Sequence, residues 1–539
     1  MLGLMMNRPL LTTELLRHAV RNFRTTEIVT RMVEGPIHRY TVADADRRIA
    51  QLAHALVRLG VKPGDRVGVI GWNTFRQFEM YYAVGGIGAV LHTINPRLGP
   101  ENAGYVINHA ADDFIFCDIT FLPLVEALMP HLSSVKKVVV LTDDAHLPET
   151  KMATTAYETL IANEAQSYEF PEFDENIAVA MCYTSGTTGN PKGVVYSHRA
   201  IVLQTLATGS AAGLGPTESD VILPIVPMFH VNAWNIPYSA MIAGSKQVYP
   251  GPRLDGEGLY VLLEGEKVNY ALGVPTVWLG LLGYLKETGK TLTHLKMAFS
   301  GGSALSEVII DGFAEHGVEV QQGWGMTEMS PVGTVNKLPP HAVKLPRDQR
   351  IKMQLKAGRS MPFVEMRLTD DDGVVQPHDG ITDGRLQVRG PWIIDEYYKA
   401  DAPTTTPDGW FDTGDVATID PDGFLQITDR SKDVIKSGGE WISSIEIENA
   451  ALSHPDVAQA AVIAIHHPKW QERPLLIIER VQGTDPSKKD LSEFVNARLP
   501  KIAWPDAIEF VDAIPLGATG KVLKTELRKM FKDYKFPGT

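Results

Sequence analysis

The 539-residue sequence contains very little cysteine, and its two examples are Cys117 and Cys182. Both lie in apolar runs, and no CxxC pair or cysteine–histidine cluster accompanies them. This usage argues against a disulfide framework and against a structural zinc site. It favours buried, reduced thiols in a cytoplasmic protein.

Long hydrophobic runs are also missing from the sequence. No apolar stretch reaches the ~18 residues that a membrane-spanning helix needs. The apolar start of the chain breaks at Asn7-Arg8-Pro9, which is too early for a signal sequence. We therefore expect no stable insertion into a membrane.

Positive charge is in deficit, with 51 lysines and arginines against 64 acidic residues and a net charge of -13. This balance disfavours a nucleic acid or an acidic membrane surface as partner. It leaves room for a phosphate ligand, because a local basic loop can bind phosphate on an acidic protein. The length exceeds that of one ordinary core, so we expect two or more domains.

The order of apolar strands and helical stretches predicts an α/β fold with a largely parallel sheet. Residues 10–60 are expected to be helical. From about Gly358, alternating residues and Asp-Gly turns indicate a small β-rich subdomain of the large N-terminal domain. Residues 433–539 form a further α/β pattern, which predicts a separate small C-terminal domain of α+β type.

The densest candidate site is Tyr183-Thr-Ser-Gly-Thr-Thr-Gly-Asn-Pro-Lys-Gly193. Glycines let a backbone approach a ligand closely, and freed amides and hydroxyls can surround an anion. Lys192 adds a positive charge, so a polyphosphate is the expected ligand. Pro191 stands where a Walker A loop requires glycine, which excludes that motif. The run from Ile177 to Tyr183 predicts a buried strand that leads into the loop, and a plain surface turn is the alternative.

The loop resembles the signature of the adenylate-forming acyl-CoA synthetases, a superfamily that includes luciferases and peptide-synthetase adenylation domains. Nearly the whole chain shares this resemblance, above all with medium- and long-chain fatty acyl-CoA ligases and bacterial 3-methylmercaptopropionate-CoA ligases. It implies ATP, Mg²⁺ and CoA as cofactors and a small carboxylic acid as substrate. It also implies that ATP is bound by Thr184, Ser185, Gly186, Thr187, Thr188, Gly189 and Lys192.

Trp324-Gly325-Met326-Thr327-Glu328 resembles the aromatic-Gly-x-Thr-Glu element of the family. The resemblance implies that Gly323 to Met326 contact the nucleotide, with Trp324 stacking on adenine and without the hydroxyl of the tyrosine often found there. Thr327 would bond the α-phosphate. Glu328, with Thr184 nearby, would hold Mg²⁺. Glu328 could otherwise be a solvated residue after a turn.

Asp412-Thr413-Gly414-Asp415 resembles the family's ribose-binding motif, in which Asp415 would accept bonds from both ribose hydroxyls. Ile427 and Arg430 match further nucleotide contacts. Arg430 could instead form a salt bridge at the domain junction. The family pattern places the hinge at residues 431–432, with Lys432 as the pivot between residues 1–430 and the mobile C-terminal domain.

His230 and Trp234 match residues that border the acid pocket, together with Val231 and Gly301. Their spacing predicts one face of a helical turn. His230 is also a candidate catalytic residue, although a packed core histidine is equally consistent with its apolar surroundings. Trp234 resembles a gate on the acyl tunnel, and plain core packing is its alternative. Gly302 and Ser303 match a segment that lines both the adenine and acyl pockets.

The C-terminal region carries two further elements of the resemblance. Lys436, Gly438, Gly439, Glu440 and Trp441 match a CoA-binding stretch, in which the glycines would let pantetheine pass. Lys521 follows Gly520, as the family's catalytic lysine does, while Lys524 is expected on the following helix surface. The stretch at Ala503-Trp504-Pro505-Asp506 looks shorter than the corresponding family pattern.

These elements together imply an acid–CoA ligase that works through an acyl-adenylate. The acid is expected to be short to medium and linear, with 3-methylmercaptopropionate first and medium- or long-chain fatty acids as alternatives. A luciferase-type adenylating oxygenase and a non-enzymatic acyl or nucleotide sensor are alternatives of other classes. A homodimer is a possible assembly.

Overall fold

The computed structural model describes residues 1, 3–184, 190–437, 440–517 and 521–536, and of Glu440 the backbone alone. The α-helices are α1 Thr12–Asn22, α2 Val42–Arg58, α3 Phe75–Gly86, α4 Pro100–Ala110, α5 Leu122–Leu128, α6 Tyr157–Ile161, α7 His198–Gly209, α8 Ile236–Ala243, α9 Gly256–Gly265, α10 Pro275–Thr288, α11 Glu307–Ala314, α12 Arg347–Gln354, α13 Ser444–Leu452, α14 Lys488–Asn496 and α15 Lys524–Met530.

The strands that form the two large sheets are β1 Glu27–Arg31, β2 Ile37–Thr41, β3 Arg66–Ile70, β4 Val90–Thr93, β5 Phe114–Cys117, β6 Lys137–Val140, β7 Thr154–Ala156, β8 Ala178–Tyr183, β9 Gly193–Ser197, β10 Val221–Pro224, β11 Lys246–Tyr249, β12 Tyr270–Gly273, β13 Met297–Ser300, β14 Glu319–Gly325, β15 Val332–Val335 and β16 Arg359–Ser360. The remaining strands are β17 Glu365–Thr369, β18 Gly384–Arg389, β19 Phe411–Ile419, β20 Leu425–Arg430, β21 Ile435–Ser437, β22 Glu440–Ile442, β23 Val457–His467, β24 Gln471–Arg480 and β25 Ala507–Val511.

Helix α2 shows how the sequence sets a boundary. Thr41 and Asp44 form a reciprocal capping box at its start, and Leu52 and Leu56 are buried on one face. The prediction that residues 10–60 are helical throughout is wrong, because β1 and β2 form a hairpin between α1 and α2. The Ile28-Val29-Thr30 run of β1 is β-branched, which favours a strand.

Two large sheets form the centre of the molecule. The seven-stranded sheet has the order β7-β6-β5-β3-β4-β8-β9 and is parallel except for the last pair. The nine-stranded sheet has the order β16-β15-β14-β13-β12-β10-β11-β1-β2, with antiparallel pairs at both edges. Helix α3 is buried along its whole length and packs against α1 and α2, which joins these layers into one core. The predicted parallel α/β architecture is confirmed.

The β-rich subdomain is a four-stranded antiparallel sheet of order β17-β18-β19-β20. The Asp422-Gly423 turn connects β19 to β20, and Gly423 has a φ of 83°, which glycine adopts without steric cost. The predicted subdomain is therefore confirmed. Its last strand, β20, leads directly to the C-terminal region.

The C-terminal region has its own sheet of β22-β21-β24-β23, with β25 beside β24. Helices α13 and α14 cover one face, where Ile447, Leu491 and Val495 are buried. A second cluster around Leu527 covers the other face. The large N-terminal and small C-terminal domains agree with the predicted fold class, while the hinge position stays a prediction.

Both cysteines are buried and unpaired, as predicted from their apolar surroundings. Among the helices of the described residues, none combines the length and the apolar character that crossing a membrane would require.

Candidate active site

The glycine–threonine loop joins β8 to β9 in an antiparallel hairpin. Its base is closed by the N–H of Thr184, which donates to the carbonyl of Lys192 at 2.9 Å, and by the N–H of Lys192, which donates to Oγ1 of Thr184 at 3.1 Å. The predicted buried strand before the loop is confirmed as β8. Ser185, Gly186, Thr187, Thr188 and Gly189, all predicted ATP contacts, lie outside the described residues.

Lys192 is exposed at the end of this loop, and its ammonium lies 4.7 Å from the centre of the Tyr397 ring. The hydroxyl of Tyr397 donates to Oε1 of Glu328 at 2.6 Å. The Glu328 side chain is buried, so the alternative of a solvated turn residue is wrong. Lys192, the predicted phosphate ligand, and Glu328, the predicted metal ligand, therefore both contact Tyr397. Tyr397 was not predicted from the sequence.

A β-bulge between Trp324 and Gly325 shapes the end of β14. A Cβ at Gly325 would lie 2.0 Å from the carbonyl oxygen of Pro331, so glycine is required there. The N–H of Met326 donates to the same carbonyl at 3.0 Å. Thr327 is buried, and its carbonyl accepts from the hydroxyl of Tyr196 at 2.7 Å. The bulge re-aims the side chains at this strand end, as bulges beside functional sites commonly do.

The Trp324 indole lies next to the predicted ribose carboxylate. Its Nε1–H donates to Oδ2 of Asp415 at 2.9 Å, while Nε of Arg430 lies 2.7 Å from Oδ1. Asp415 and Arg430 are register partners across β19 and β20. Burial raises the pKa of Asp415, and Arg430 and the indole donor oppose that rise. Arg430 therefore forms a salt bridge inside the large domain and not across the domain junction. Its guanidinium lies against the carboxylate that is the predicted ribose ligand, and its own contact with ribose stays a prediction.

The position of Ile427 also follows from this hairpin. It pairs with Ala417 across β19 and β20 and is half-buried against the main core. Its backbone therefore lies on the same two strands as Asp415 and Arg430, and its nucleotide contact stays a prediction.

Trp234 lies in a tight aromatic and glycine cluster. Its ring meets that of Phe299 edge-on, with centroids 5.7 Å apart. A Cβ at Gly301 would lie 3.0 Å from Cη2 of Trp234, and a Cβ at Gly323 would lie 2.4 Å from Cζ of Phe299. Both glycines are needed for the rings to occupy this space. Gly302, with φ at 86°, and Ser303 follow at the exposed end of β13.

The predicted helical turn from His230 to Trp234 is wrong in its handedness. His230 is extended, and residues 231–235 all have positive φ between 47° and 60°. None of them is glycine, and each such residue costs roughly 1–2 kcal/mol. Surrounding packing holds this left-handed turn, since Val231, Asn232, Ala233 and Asn235 are buried.

His230 is half-buried and uncharged at neutral pH. Loss of hydration, with a contribution from the Lys521 charge, lowers the pKa of His230 to about 3. A neutral imidazole can accept or donate a hydrogen bond but carries no charge for a phosphate. This state suits a residue that borders an uncharged acyl group better than one that neutralises an anion.

Lys521 belongs to the small domain and interacts electrostatically with charged residues of the large domain. Its hairpin is closed by the N–H of Gly517, which donates to the carbonyl of Lys521 at 2.6 Å. Although Lys521 keeps exposed surface, loss of water and the nearby Arg430 charge lower the pKa of its ammonium to about 8, and Asp415 and Glu328 oppose that change. The structure therefore brings Lys521 into the electrostatic field of the predicted nucleotide site.

Lys524 does not lie on the helix surface as expected. It is the first residue of α15, and its ammonium is 2.6 Å from Oγ of Ser444 and 2.7 Å from Oε1 of Glu448. Asp429, on β20 of the large domain, accepts from the N–H of Ser444 at 2.6 Å and from its hydroxyl at 3.0 Å. We call Asp429, Ser444, Glu448 and Lys524 the junction cluster. Sequence reasoning missed Asp429 because nothing in the local pattern indicates its partners.

The predicted CoA residues lie on the β21–β22 hairpin. Lys436 pairs with Trp441 in register, and its ammonium lies 5.8 Å from the indole and 4.0 Å from Oδ2 of Asp371. Gly438 and Gly439 lie outside the described residues, and only the backbone of Glu440 is described, as the first residue of β22. Their contact with CoA stays a prediction.

Lys432 lies in the turn between β20 and β21, and its carbonyl accepts from the Arg528 guanidinium at 3.5 Å. Asp433, the next residue, pairs with Arg528 at 2.5 Å. The predicted pivot is therefore in direct contact with α15, the helix that follows Lys521.

A divalent cation at this site would need ligands from the substrate in addition to those from the protein. Among the described residues, no group of three or more histidines, cysteines and carboxylates could hold a metal alone. Mg²⁺ usually takes one or two protein carboxylates together with substrate phosphates and water. The single buried carboxylate of Glu328 is consistent with that donor set.

Comparison with known proteins identifies relatives over nearly the full length of the chain. Residues 16–398 match the AMP-binding enzyme family, and residues 446–521 match the AMP-binding enzyme C-terminal domain. The chain is 48% identical to a 3-methylmercaptopropionyl-CoA ligase of Ruegeria lacuscaerulensis, over 99% of each chain. It is 46% identical to a long-chain-fatty-acid–CoA ligase of Thermus thermophilus, over 98% of this chain and 97% of the relative.

Solved structures share the fold at lower identity. The crystal structure of an anthranilate CoA ligase in complex with anthranoyl-AMP superposes with a TM-score of 0.85 at 23% identity, covering 96% of this chain and 97% of the other. At that identity the likeness concerns the fold alone.

Proposed function

The chain belongs to the AMP-binding enzyme family and is an AMP-forming acid–CoA ligase, and we propose that its acid is 3-methylmercaptopropionate. The support for this acid is the 48% identity to a ligase of that specificity over nearly the full length of both chains. A thioether sulfur is close in size to a methylene group, so linear acids of similar length are expected to be secondary substrates.

The reaction proceeds in two displacements. An oxygen of the substrate carboxylate attacks the α-phosphorus of ATP, and pyrophosphate leaves, which gives an acyl-adenylate. The sulfur of CoA then attacks the acyl carbon, and AMP leaves as the thioester forms. The first step brings anions together, so it requires positive charge that is positioned in advance.

We assign this charge to Lys192 and Lys521. The assignment is supported by the Lys192 ammonium, which lies 4.7 Å from the Tyr397 ring whose hydroxyl binds Glu328, and by the influence of Asp415 and Glu328 on the pKa of Lys521. With its pKa at about 8, Lys521 is largely cationic at neutral pH. Asp415 and Arg430 hold the ribose in this proposal, and Trp324 stacks on the adenine.

Glu328, with Thr184 nearby, would hold Mg²⁺, which neutralises phosphate charge when it is bound. Tyr397 fixes the Glu328 carboxylate through its 2.6 Å hydrogen bond. Tyr397 also lies under the Lys192 ammonium, so one side chain contacts both the lysine and the carboxylate of the proposed phosphate site.

The acid is assigned to the space bordered by His230, Val231, Trp234 and Gly301. We propose that Lys432 is the pivot about which the small domain moves between the two displacements, and that the β21–β22 hairpin contacts CoA. Proteins that run two steps at one site often change domain orientation between them.

A medium- or long-chain fatty acid is the second candidate substrate, because the chain is 46% identical to a long-chain-fatty-acid–CoA ligase. A Cβ at Gly301 would lie only 3.0 Å from Trp234, so the two residues are close together on this side of the proposed acid site, which favours a short acyl group over a long one. The two candidates differ in the acid for which kcat/KM is highest.

The test is CoA-dependent AMP release over acetate, butyrate, 3-methylmercaptopropionate, pentanoate, hexanoate, palmitate and benzoate. Pentanoate is the matched control, since it replaces the thioether sulfur by a methylene. We expect the highest kcat/KM with 3-methylmercaptopropionate and a clear decline at palmitate. A maximum at palmitate would contradict the proposed acid, and ADP with phosphate as products would contradict the reaction itself.

A further inference from the structure

We propose that Trp324 is a positioning residue for the ribose, in addition to presenting a face to adenine. The inference rests on the proposed function in taking ATP as the nucleotide and Asp415 as its ribose ligand. The observation behind it is the 2.9 Å hydrogen bond from the indole Nε1–H to Oδ2 of Asp415. A flat ring suffices for stacking, so the donor has a separate role.

The Asp415 carboxylate is buried and held from two sides. Arg430 lies 2.7 Å from Oδ1, and the indole donates to Oδ2. An ionised carboxylate offers about four lone-pair sites, so these two contacts leave about two for hydroxyl donors. With both oxygens anchored, the remaining lone pairs point in fixed directions. This arrangement matches a pair of neighbouring hydroxyls such as the 2′ and 3′ groups of ribose.

The indole itself is fixed by its strand and its neighbours. The backbone N–H of Trp324 donates to Oγ1 of Thr334 at 3.2 Å, and that hydroxyl donates to the carbonyl of Ala357 at 2.6 Å. A Cβ at Gly333 would lie 3.0 Å from Cζ3 of the indole, so the ring is seated against a glycine. A β-bulge follows Trp324, and the indole Nε1 reaches Asp415 of β19.

A donor at this place distinguishes tryptophan from the other aromatic residues. Phenylalanine keeps a flat face and has no donor. Tyrosine carries its hydroxyl at the far end of the ring, beyond the position of Nε1. Burial raises the pKa of Asp415, and the hydrogen bond from the indole opposes that rise. Without this donor the ionised form of the carboxylate, which accepts from the ribose hydroxyls, is less stable.

The experiment compares binding of ATP and of 2′,3′-dideoxy-ATP to the full-length protein by calorimetry, with Mg²⁺ and without acid. In Trp324→Phe, we expect ATP to bind about tenfold more weakly or worse, which is typical for a lost hydrogen bond to a charged group. Dideoxy-ATP lacks both hydroxyls and should bind the variant and the wild type nearly alike. The preference for ATP over dideoxy-ATP should therefore collapse.

Trp278→Phe is the matched control, because the buried indole N–H of Trp278 makes no hydrogen bond within the described part of the chain. It should leave the preference unchanged. If Trp324→Phe fails to fold, Trp324→Tyr keeps the bulk and should show the same collapse. In an Asp415→Ala background, Trp324→Phe should have no further effect on the preference.

Equal weakening of both nucleotides in Trp324→Phe would overturn the proposal and leave the indole as a stacking surface only. An unchanged preference would overturn it as well. A wild type that binds ATP but releases no AMP with acid and CoA would contradict the proposed function and leave the positioning role intact. These two failures are therefore distinguishable.

Discussion

At the scale of single residues, Gly301 decides how much space remains beside Trp234. A methyl group there would lie 3.0 Å from Cη2 of Trp234 and 3.2 Å from the backbone oxygen of Gly323. The backbone oxygen cannot rotate away, so the indole must move. We expect Gly301→Ala to narrow the acid site and to lower kcat/KM for hexanoate by about tenfold or more relative to acetate.

Gly280→Ala is the control, because a Cβ at Gly280 on α10 meets nothing within 4 Å. Trp234→Ala makes the opposite change and should relax the preference, whereas unfolding, at a cost of roughly 3–5 kcal/mol, would indicate a packing residue instead. A uniform change for all acids in Gly301→Ala would exclude Gly301 from the acid site. The measurement is a kcat/KM series with parallel thermal melting.

Asp118 gives a second residue-scale prediction, which concerns stability. Burial raises its pKa from 3.8 to about 7, although the N–H of Trp72 donates to Oδ2 at 2.6 Å. An acid whose folded pKa exceeds its unfolded value favours the folded state at low pH, and that benefit is lost as the pH rises from about 4 to about 7. The displacement corresponds to roughly 4 kcal/mol at most.

Asp118→Asn removes this titration. We expect its melting temperature to rise relative to the wild type between pH 5 and pH 8. Asp348→Asn, at an aspartate whose side chain is 87% exposed, should follow the wild type at both pH values. A constant difference between Asp118→Asn and the wild type across this window would show that Asp118 does not titrate there.

At the scale of elements, the junction cluster ties β20, α13 and α15 together. Asp429 belongs to the strand before the predicted hinge, while Ser444 and Lys524 come after it. The Lys524 side chain is 13% exposed and that of Glu448 is 17% exposed, so their ion pair is poorly screened. Since Lys521 is three residues before Lys524, we infer that this cluster holds the orientation in which Lys521 faces the proposed nucleotide site.

We expect Lys524→Met to slow acyl-adenylate formation by about tenfold or more, because removing one partner of a buried pair costs a few kcal/mol. Transfer from synthetic acyl-adenylate to CoA should change little. Lys529→Met is the matched control on the same helix, with a side chain that is 74% exposed. If both half-reactions slow equally in Lys524→Met, the cluster stabilises the small domain and does not set its orientation.

The strands and turns at this scale were largely predictable. The apolar run from Ile177 to Tyr183 indicated β8, and the Asp-Gly turns after Gly358, among them Asp422-Gly423 between β19 and β20, indicated the hairpins of the β-rich subdomain. The Asp422-Gly423 turn lies midway between Asp415 and Arg430, so their pairing was available as a signal in the sequence. The left-handed turn at residues 231–235 could not be predicted from the sequence, because valine, alanine and tryptophan have no preference for that conformation.

Contacts between distant elements were out of reach of the sequence. Trp324 and Asp415 are 91 positions apart and come from different sheets, and Lys524 meets Ser444 across 80 positions. The family resemblance identified several of these residues as functional. It did not indicate that Tyr397 joins the Lys192 loop to Glu328, because that contact depends on packing alone.

At the scale of the whole molecule, one small domain brings a cation to a site built by the large domain. The field of Lys521 reaches His230, Asp415 and Glu328, and the junction cluster fixes this arrangement. A carboxylate attacking phosphorus needs that charge, whereas CoA attacking an acyl-adenylate does not. We therefore assign Lys521 to the first displacement only.

The most direct test measures the two half-reactions of Lys521→Ala separately in single turnovers. Pyrophosphate release from ATP and acid without CoA should fall by about 10²–10³, the usual loss for one preorganised donor of positive charge. The same variant, given synthetic acyl-adenylate and CoA, should form the thioester at nearly the wild-type rate. An equal loss in both half-reactions would contradict the assignment of Lys521 and, with it, the two-orientation mechanism.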